Sequence, residues 1–287
     1  MPRPSEPVRV DARMLREWPL PPPGGSKNAR GRVVVIGGSE RSPGAVMLAG
    51  IAALRVGAGR LTLVTPPSIA VPVAVAVPEA GVLALLDGGA DAARDPLGDL
   101  VRSELATADA VLLGPGLDDP DLSRRLVEAV CTAGGGGSPA LVLDAFALGV
   151  LPEVDVALPR ELVLSPNLDE LRILSDGDVD DVAASVARVA DRYDGATTSY
   201  GEVAAPRDGA WHVDAGGSGL GTSGSGDVLA GAIVGLLARG ADAVQAAVWA
   251  TCLHALAGDR LAERTAEVGF LARELCDELP RVLATAG

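Results

Sequence analysis

Val33-Val34-Val35-Ile36-Gly37-Gly38-Ser39 is the stretch from which the rest of the chain can be read. Four consecutive apolar, β-branched residues that stop at paired glycines describe a short strand buried on both faces, and such strands belong to parallel sheets. Downstream, Ala45, Leu48, Ala49, Ala52 and Ala53 recur at the three- and four-residue spacing of a helix. Gly57-Ala58-Gly59 closes that helix, and Leu61-Thr62-Leu63-Val64-Thr65 reads as a second strand. The whole is a β-α-β unit.

The alternation continues through Ala110 to Leu113, a helix near Asp121 to Thr132, Ala140 to Asp144, and Glu161 to Ser165. An α/β fold with a mostly parallel, helix-covered sheet is the economical arrangement. Gly134 to Gly137 fall between a helix and a strand and read as a connector. Val203-Ala204-Ala205, a turn at Arg207-Asp208-Gly209 and Trp211-His212-Val213 then predict an antiparallel hairpin. Helices follow over Val228 to Arg239, Ala241 to Leu261 and Ala266 to Leu283. At the other end, Pro19-Leu20-Pro21-Pro22-Pro23-Gly24-Gly25-Ser26 has fixed φ angles and missing donors. Residues 1–30 therefore read as a proline-rich arm outside the core, compact structure starts near Arg32, and residues 31–287 form one domain.

The chain has 287 residues, 48% hydrophobic and 22% charged, a composition that suits a folded protein and not a disordered one. Thirty-eight acidic against 24 basic residues leave a net charge of -14, which opposes nucleic acid or an anionic membrane as partners. Cys131, Cys252, Cys276, His212 and His254 have neither the number nor the spacing of a disulfide framework or a metal site. No run reaches the roughly 18 to 20 apolar residues of a membrane span, and a reducing cytoplasm fits the cysteine usage.

The chemistry concentrates in Gly216-Gly217-Ser218-Gly219-Leu220-Gly221-Thr222-Ser223-Gly224-Ser225-Gly226-Asp227, directly ahead of a helix. Small residues let backbone approach a ligand, and unpaired N–H groups at a helix start face anything negative placed there. An acid at position 227 also suits simple helix capping, but a cap does not need six glycines in eleven residues. The stretch is not a Walker A loop, since no lysine follows the glycines, nor a Rossmann fingerprint, since it lies late and follows no parallel strand. His254, among Leu253, Ala255 and Leu256, reads as a packed histidine, and His212 as an exposed strand residue.

The Gly-Ser-Gly-Asp turn resembles the anion hole and acid of the ribokinase-like superfamily, a three-layer α/β/α sandwich. The resemblance sharpens with Gly37-Gly38-Ser39, Gly44-Ala45, Leu48-Ala49-Gly50, Ala52 to Gly59, Pro78-Glu79, Gly114-Pro115-Gly116-Leu117, Asp144-Ala145 and Gly224 to Gly231. In order and spacing these are similar to the ADP/ATP-dependent NAD(P)H-hydrate dehydratases, over about Lys27 to Leu283.

That resemblance implies repair of hydrated NADH and NADPH, with a phosphoryl group moved from ADP or ATP to the C6 hydroxyl and phosphate then eliminated. It implies Asp227 as the base, Gly224, Ser225 and Gly226 as the anion hole, and Ala45, Gly116, Asn167 and Asp227 against the hydrated dinucleotide. Tyr200-Gly201-Glu202-Val203-Ala204 fall where the family lines its nucleotide pocket. Mg2+ and a homo-oligomer, a tetramer being one form, are implied as well.

Three positions depart from the family pattern. Ser165-Pro166-Asn167-Leu168-Asp169-Glu170 lacks the usual histidine and resembles instead the Asn-x-x-Glu motif of sugar and vitamin kinases, in which Glu170 would act on magnesium indirectly. A helix with a proline-opened, acidic first turn would look the same without a ligand. Tyr200 replaces a lysine, removing a charge-assisted phosphate contact, and Phe146 replaces a second aspartate. A small-molecule kinase of the same fold and a non-catalytic nucleotide-binding paralogue are therefore the alternative readings.

Overall fold

The computed structural model describes residues 6–86, 95–133, 138–207 and 209–286; the Gly134 to Gly137 connector and Asp208 of the hairpin turn lie outside them. In chain order the elements are β1 (Val8–Val10), α1 (Ala12–Glu17), β2 (Arg32–Ile36), α2 (Pro43–Arg55), β3 (Arg60–Thr65), α3 (Pro67–Ala76) and β4 (Gly81–Ala84). Next come α4 (Gly98–Leu105), β5 (Ala110–Leu113), α5 (Pro120–Ala133), β6 (Ala140–Leu143), α6 (Phe146–Val150), β7 (Leu162–Leu164), α7 (Leu168–Ser175) and α8 (Val182–Tyr193). The last are β8 (Ala196–Ser199), β9 (Glu202–Ala204), β10 (Ala210–Val213), α9 (Ser225–Ala238), α10 (Ala243–Arg264) and α11 (Ala272–Ala286).

All ten strands form one sheet in the order β1-β10-β9-β8-β7-β6-β5-β2-β3-β4. Only β9 runs against its neighbours; the β2-β3 and β2-β5 pairs at the centre are parallel, as the opening β-α-β unit requires. Alternation along β2 divides the interior into two layers. Val33 and Val35 join a core with α2, α9, α10 and α11, while Val34 and Ile36 join one with α4, α5, α6 and α8. This is the three-layer α/β/α arrangement, and the expected hairpin is present as β9-β10.

Two expectations are corrected. Compact structure begins at Val8, not Arg32: β1 pairs with β10 from Val8↔Trp211 to Val10↔Val213, and Leu15 is fully buried. Trp18 stacks on Trp211 with ring centroids 6.1 Å apart, and its carbonyl accepts from Trp249 Nε1 at 2.9 Å. Apolar residues spaced among charges give too short a pattern to register in sequence, yet Val8, Val10 and Trp18 each find a long-range partner. The last helix starts at Ala272 rather than Ala266, because the chain passes Gly269 at φ +118° and buries Phe270 before turning helical.

The packing of α2 on α9 positions the site. A Cβ added at Gly231 would lie 2.2 Å from the Ala49 carbonyl oxygen, so the two helices touch backbone to backbone. That contact sets the start of α9, with Asp227, beside the start of α2, with Ala45.

Candidate active site

Loops at the carboxyl ends of parallel strands converge here, as they do on open α/β sheets where connections diverge to opposite sides. The divergence lies between β2 and β5, whose following loops are joined by the Gly38 N–H donating to the Pro115 carbonyl at 2.7 Å. Gly116 takes φ +72°, and a Cβ there would sit 2.6 Å from the Ser42 carbonyl oxygen and 2.9 Å from Ala45 Cβ. Ala45 and Gly116, far apart in sequence, are thus neighbours on one wall.

Gly224 caps α9 at φ +89°. The Ser225 N–H is engaged, donating to the Thr222 carbonyl at 3.2 Å, whereas the amides of Gly224, Gly226 and Asp227 have no partner among the described residues. Of the three amides expected to form an anion hole, those of Gly224 and Gly226 are thus free among the described residues, while that of Ser225 already has a backbone partner. Asp227 lies half-buried in the first turn, and loss of water around its carboxyl pushes the pKa from 3.8 up to about 6.

At the end of β6, Asp144 is buried and accepts from Ser165 Oγ at 2.9 Å. Burial holds its carboxyl well above the usual range, reinforced by the charges of Asp227 and Glu170, so the three carboxyl groups share one field. Asn167 and Glu170 form a capping box on α7. The Asn167 N–H donates to Glu170 Oε2 at 2.9 Å, while Asn167 Oδ1 accepts from the amides of Asp169 and Glu170 at 2.9 and 3.0 Å. The acid-rich start of α7 thus has a structural account. Burial raises the Glu170 pKa as well.

A cavity of about 620 Å³ opens beside the α9 terminus, walled by Asn167, Tyr200, Gly201, the Gly216-Gly217-Ser218 loop, Ser225 and Gly226. Tyr200 is 69% exposed at the β8-β9 turn. Glu202 instead pairs with His212 Nδ1 at 2.7 Å, and Val203 and Ala204 are buried in β9, so these three do not line the cavity. Phe146, where the family has a second aspartate, is exposed. A second cavity of about 480 Å³ between α2, α10 and α11 holds Arg55 paired with Asp277 and Arg264 and Arg281 paired with Glu278; no strand-end loop reaches it.

A family model described as NAD(P)H-hydrate dehydratase matches residues 33–281. The chain belongs to the NAD(P)H-hydrate dehydratase family. The ADP-dependent (S)-NAD(P)H-hydrate dehydratase of Xanthomonas campestris pv. campestris is 45% identical over 293 residues, spanning 96% of this chain and 95% of that protein. Among solved structures, the ADP/ATP-dependent NAD(P)H-hydrate dehydratase of Bacillus subtilis, co-crystallised with ATP and Mg2+, superposes with TM-score 0.83 at 26% identity, over 99% of this chain and 100% of that one. A ribokinase-like superfamily protein of Enterococcus faecalis gives TM-score 0.83 at 25% identity, over 98% and 96%.

In this dehydratase-family chain, two residues that hold the glycine-rich segment were not singled out from the sequence. His254 of α10 is buried in the cavity wall, its Nε2 3.0 Å from both Ser225 Oγ and the Ser225 carbonyl. Five residues on, Asp259 accepts from the amides of Gly216, at 3.1 and 3.2 Å, and Gly217, at 3.2 Å. One helix therefore grips both ends of the glycine-rich segment. The available signal was a histidine set among the apolar residues Leu253, Ala255 and Leu256 of that helix, with an acid five residues on.

Proposed function

We propose that this chain dehydrates hydrated NADH and NADPH at the expense of ADP or ATP, with ADP the first nucleotide to test in view of the Xanthomonas likeness. The observation that carries the reading is Asp227: a half-buried carboxylate with a pKa near 6, in the first turn of a helix whose leading amides are unpaired. Asp227 takes the proton from the C6 hydroxyl as that oxygen attacks the terminal phosphorus. Such a base contributes roughly 100- to 10,000-fold. The amides of Gly224, Gly226 and Asp227 and the helix dipole hold the charge on the migrating phosphoryl. The C6–O bond then breaks with the ring nitrogen's electron pair assisting, phosphate leaves, and a proton lost from C5 restores the double bond. Ala45 and Gly116 shape the wall against the hydrated ring, Asn167 faces the dinucleotide from the cavity wall, and Tyr200 and Gly201 border the nucleotide.

For Mg2+, no group of three or more histidine, cysteine or acidic residues among the described ones could hold a metal by itself. Bound Mg2+ would neutralise phosphate charge, and it suits a site of this kind to ride on the phosphates with few protein ligands. Glu170, the acid of the Asn-x-x-Glu spacing, is the carboxyl that would act on it indirectly. The kinase alternative leaned on Asn167 and Glu170, which the capping box accounts for. We further propose a cytoplasmic homo-oligomer without nucleic-acid or membrane partners. Among the described residues no helix is long and apolar enough to cross a membrane. Val71 and Val75, 72% and 78% exposed on α3, support association between copies, which sedimentation tests.

The decisive experiment mixes hydrated NADH, Mg2+ and ADP or ATP with the protein and follows return of the NADH absorbance band. Recovery that depends on nucleotide supports the function. No recovery, with nucleotide turned over on another alcohol, replaces it with the kinase.

A further inference from the structure

Ser225 stands at the centre of the cradle with its amide already engaged to Thr222, so the residue reaches a bound phosphate by another route. His254 indicates which. Its Nε2 lies 3.0 Å from the Ser225 carbonyl, an oxygen that can only accept, so the imidazole proton resides on Nε2. The same nitrogen lies 3.0 Å from Ser225 Oγ and, carrying the proton, cannot also accept from that hydroxyl. Ser225 Oγ is thus the second acceptor of a shared N–H. The hydroxyl's own hydrogen has no acceptor among the described residues, and both side chains line the cavity.

We propose, on the basis of the function above, that the Ser225 hydroxyl donates to the nucleotide phosphates and that His254 is the positioning residue that orients it. Burial supports the arrangement by lowering the His254 pKa to about 4, so the ring stays neutral and its Nε2–H stays in place across the physiological range. The scaffold around the pair is equally fixed: Thr251, one turn earlier on α10, shares a 2.7 Å hydrogen bond with Thr198 of β8. An imidazole in this role touches neither phosphate nor dinucleotide; it aims a donor that does.

The test is calorimetric titration of the whole protein with Mg·ADP and Mg·ATP, alongside turnover of hydrated NADH. S225A preserves the backbone amides and removes only the hydroxyl. The expected loss of nucleotide affinity is about ten- to a hundredfold, as for one hydrogen bond to a charged group. H254L is expected to show a similar loss, H254Q, which keeps an N–H donor on a chain of comparable reach, to recover most of it, and the S225A/H254L double variant to bind no worse than S225A. S225A binding like the wild type overturns the proposal, as does a double variant whose losses multiply. Should H254L fail to fold by circular dichroism, S225A and H254Q still decide. A wild-type protein that binds neither nucleotide would refute the underlying function instead, and is distinguishable because it precedes every comparison among variants.

Discussion

Replacing Asp227 with asparagine should cut activity sharply and stabilise the protein at once. Its carboxyl titrates near 6 in the folded chain against an ordinary 3.8, and the cause is burial, without a compensating cation. The difference makes ionised Asp227 cost the fold about 3 kcal/mol at neutral pH. A raised carboxyl pKa means that the folded state binds more protons than the unfolded one between the two values. The penalty is therefore absent below the unfolded pKa, grows as pH rises, and is complete above about 6. About 3 kcal/mol is a ceiling for the gain, since the asparagine amide also loses water on burial. At roughly 2–4 °C per kcal/mol for a chain of this size, even half of it raises the melting midpoint by several degrees. Melting curves of both proteins at about pH 5 and about pH 7.5 read it directly, with the gap about 1.3 kcal/mol wider at the higher pH. Turnover should fall by roughly 100- to 10,000-fold, and wild-type kcat/KM should rise with pH through about 6 to a plateau. A variant that melts with the wild type at both pH values, or that retains its rate, refutes the reasoning.

Gly231→Ala should destabilise the fold by about 1–3 kcal/mol, because its Cβ would meet the Ala49 carbonyl oxygen at 2.2 Å and force α2 from α9; denaturant unfolding measures it, and an unchanged midpoint denies the tight crossing. Gly116→Val combines a strained φ of +72° with a Cβ 2.9 Å from Ala45, so KM for the hydrated dinucleotide should rise more than KM for the nucleotide; equal effects would remove this wall from the substrate side. Glu170→Gln can still accept the Asn167 amide and should keep the melting midpoint, while the Mg2+ concentration for half-maximal turnover rises severalfold; an unchanged Mg2+ requirement would leave Glu170 as a cap alone.

What was legible in sequence was local or periodic. The Val33 to Ile36 strand, the helix from Ala45 and the glycine-rich approach to Asp227 each declare themselves within a dozen residues, and all stand where expected. What stayed hidden depends on partners distant in the chain. Trp18 gains its place only when Trp249 and Trp211 fold against it, and Leu15 only when the core closes around it. His254 looks like core packing until Ser225, 29 positions earlier, is set against it, and Asp259 is an ordinary helix-surface acid until Gly216 arrives. Asn167 and Glu170 pose the reverse case: spacing shared by a ligand motif and a capping box cannot separate the two, and the bond from the Asn167 amide to Glu170 shows that the cap is present.

The cavity beside α9 poses a question that these residues answer together. Its described lining contains no lysine, arginine or acid, and the position where a cation would be expected is Tyr200. On the proposed function, phosphates entering it would meet amides, hydroxyls and the positive end of a helix dipole, in a protein of net charge -14. Neutral donors of this kind act at short range and only when aimed, since an uncharged hydrogen bond weakens steeply with misalignment. Precise aim is what α10 supplies, with His254 fixing the Ser225 end of the segment and Asp259 the Gly216 end. The unionised state favoured for Asp144 fits the same logic, because a third negative charge beside Asp227 and Glu170 would repel the phosphates the amides must hold. Under that proposal nucleotide recognition rests on geometry more than on charge, and the helix behind the loop becomes as consequential as the loop itself.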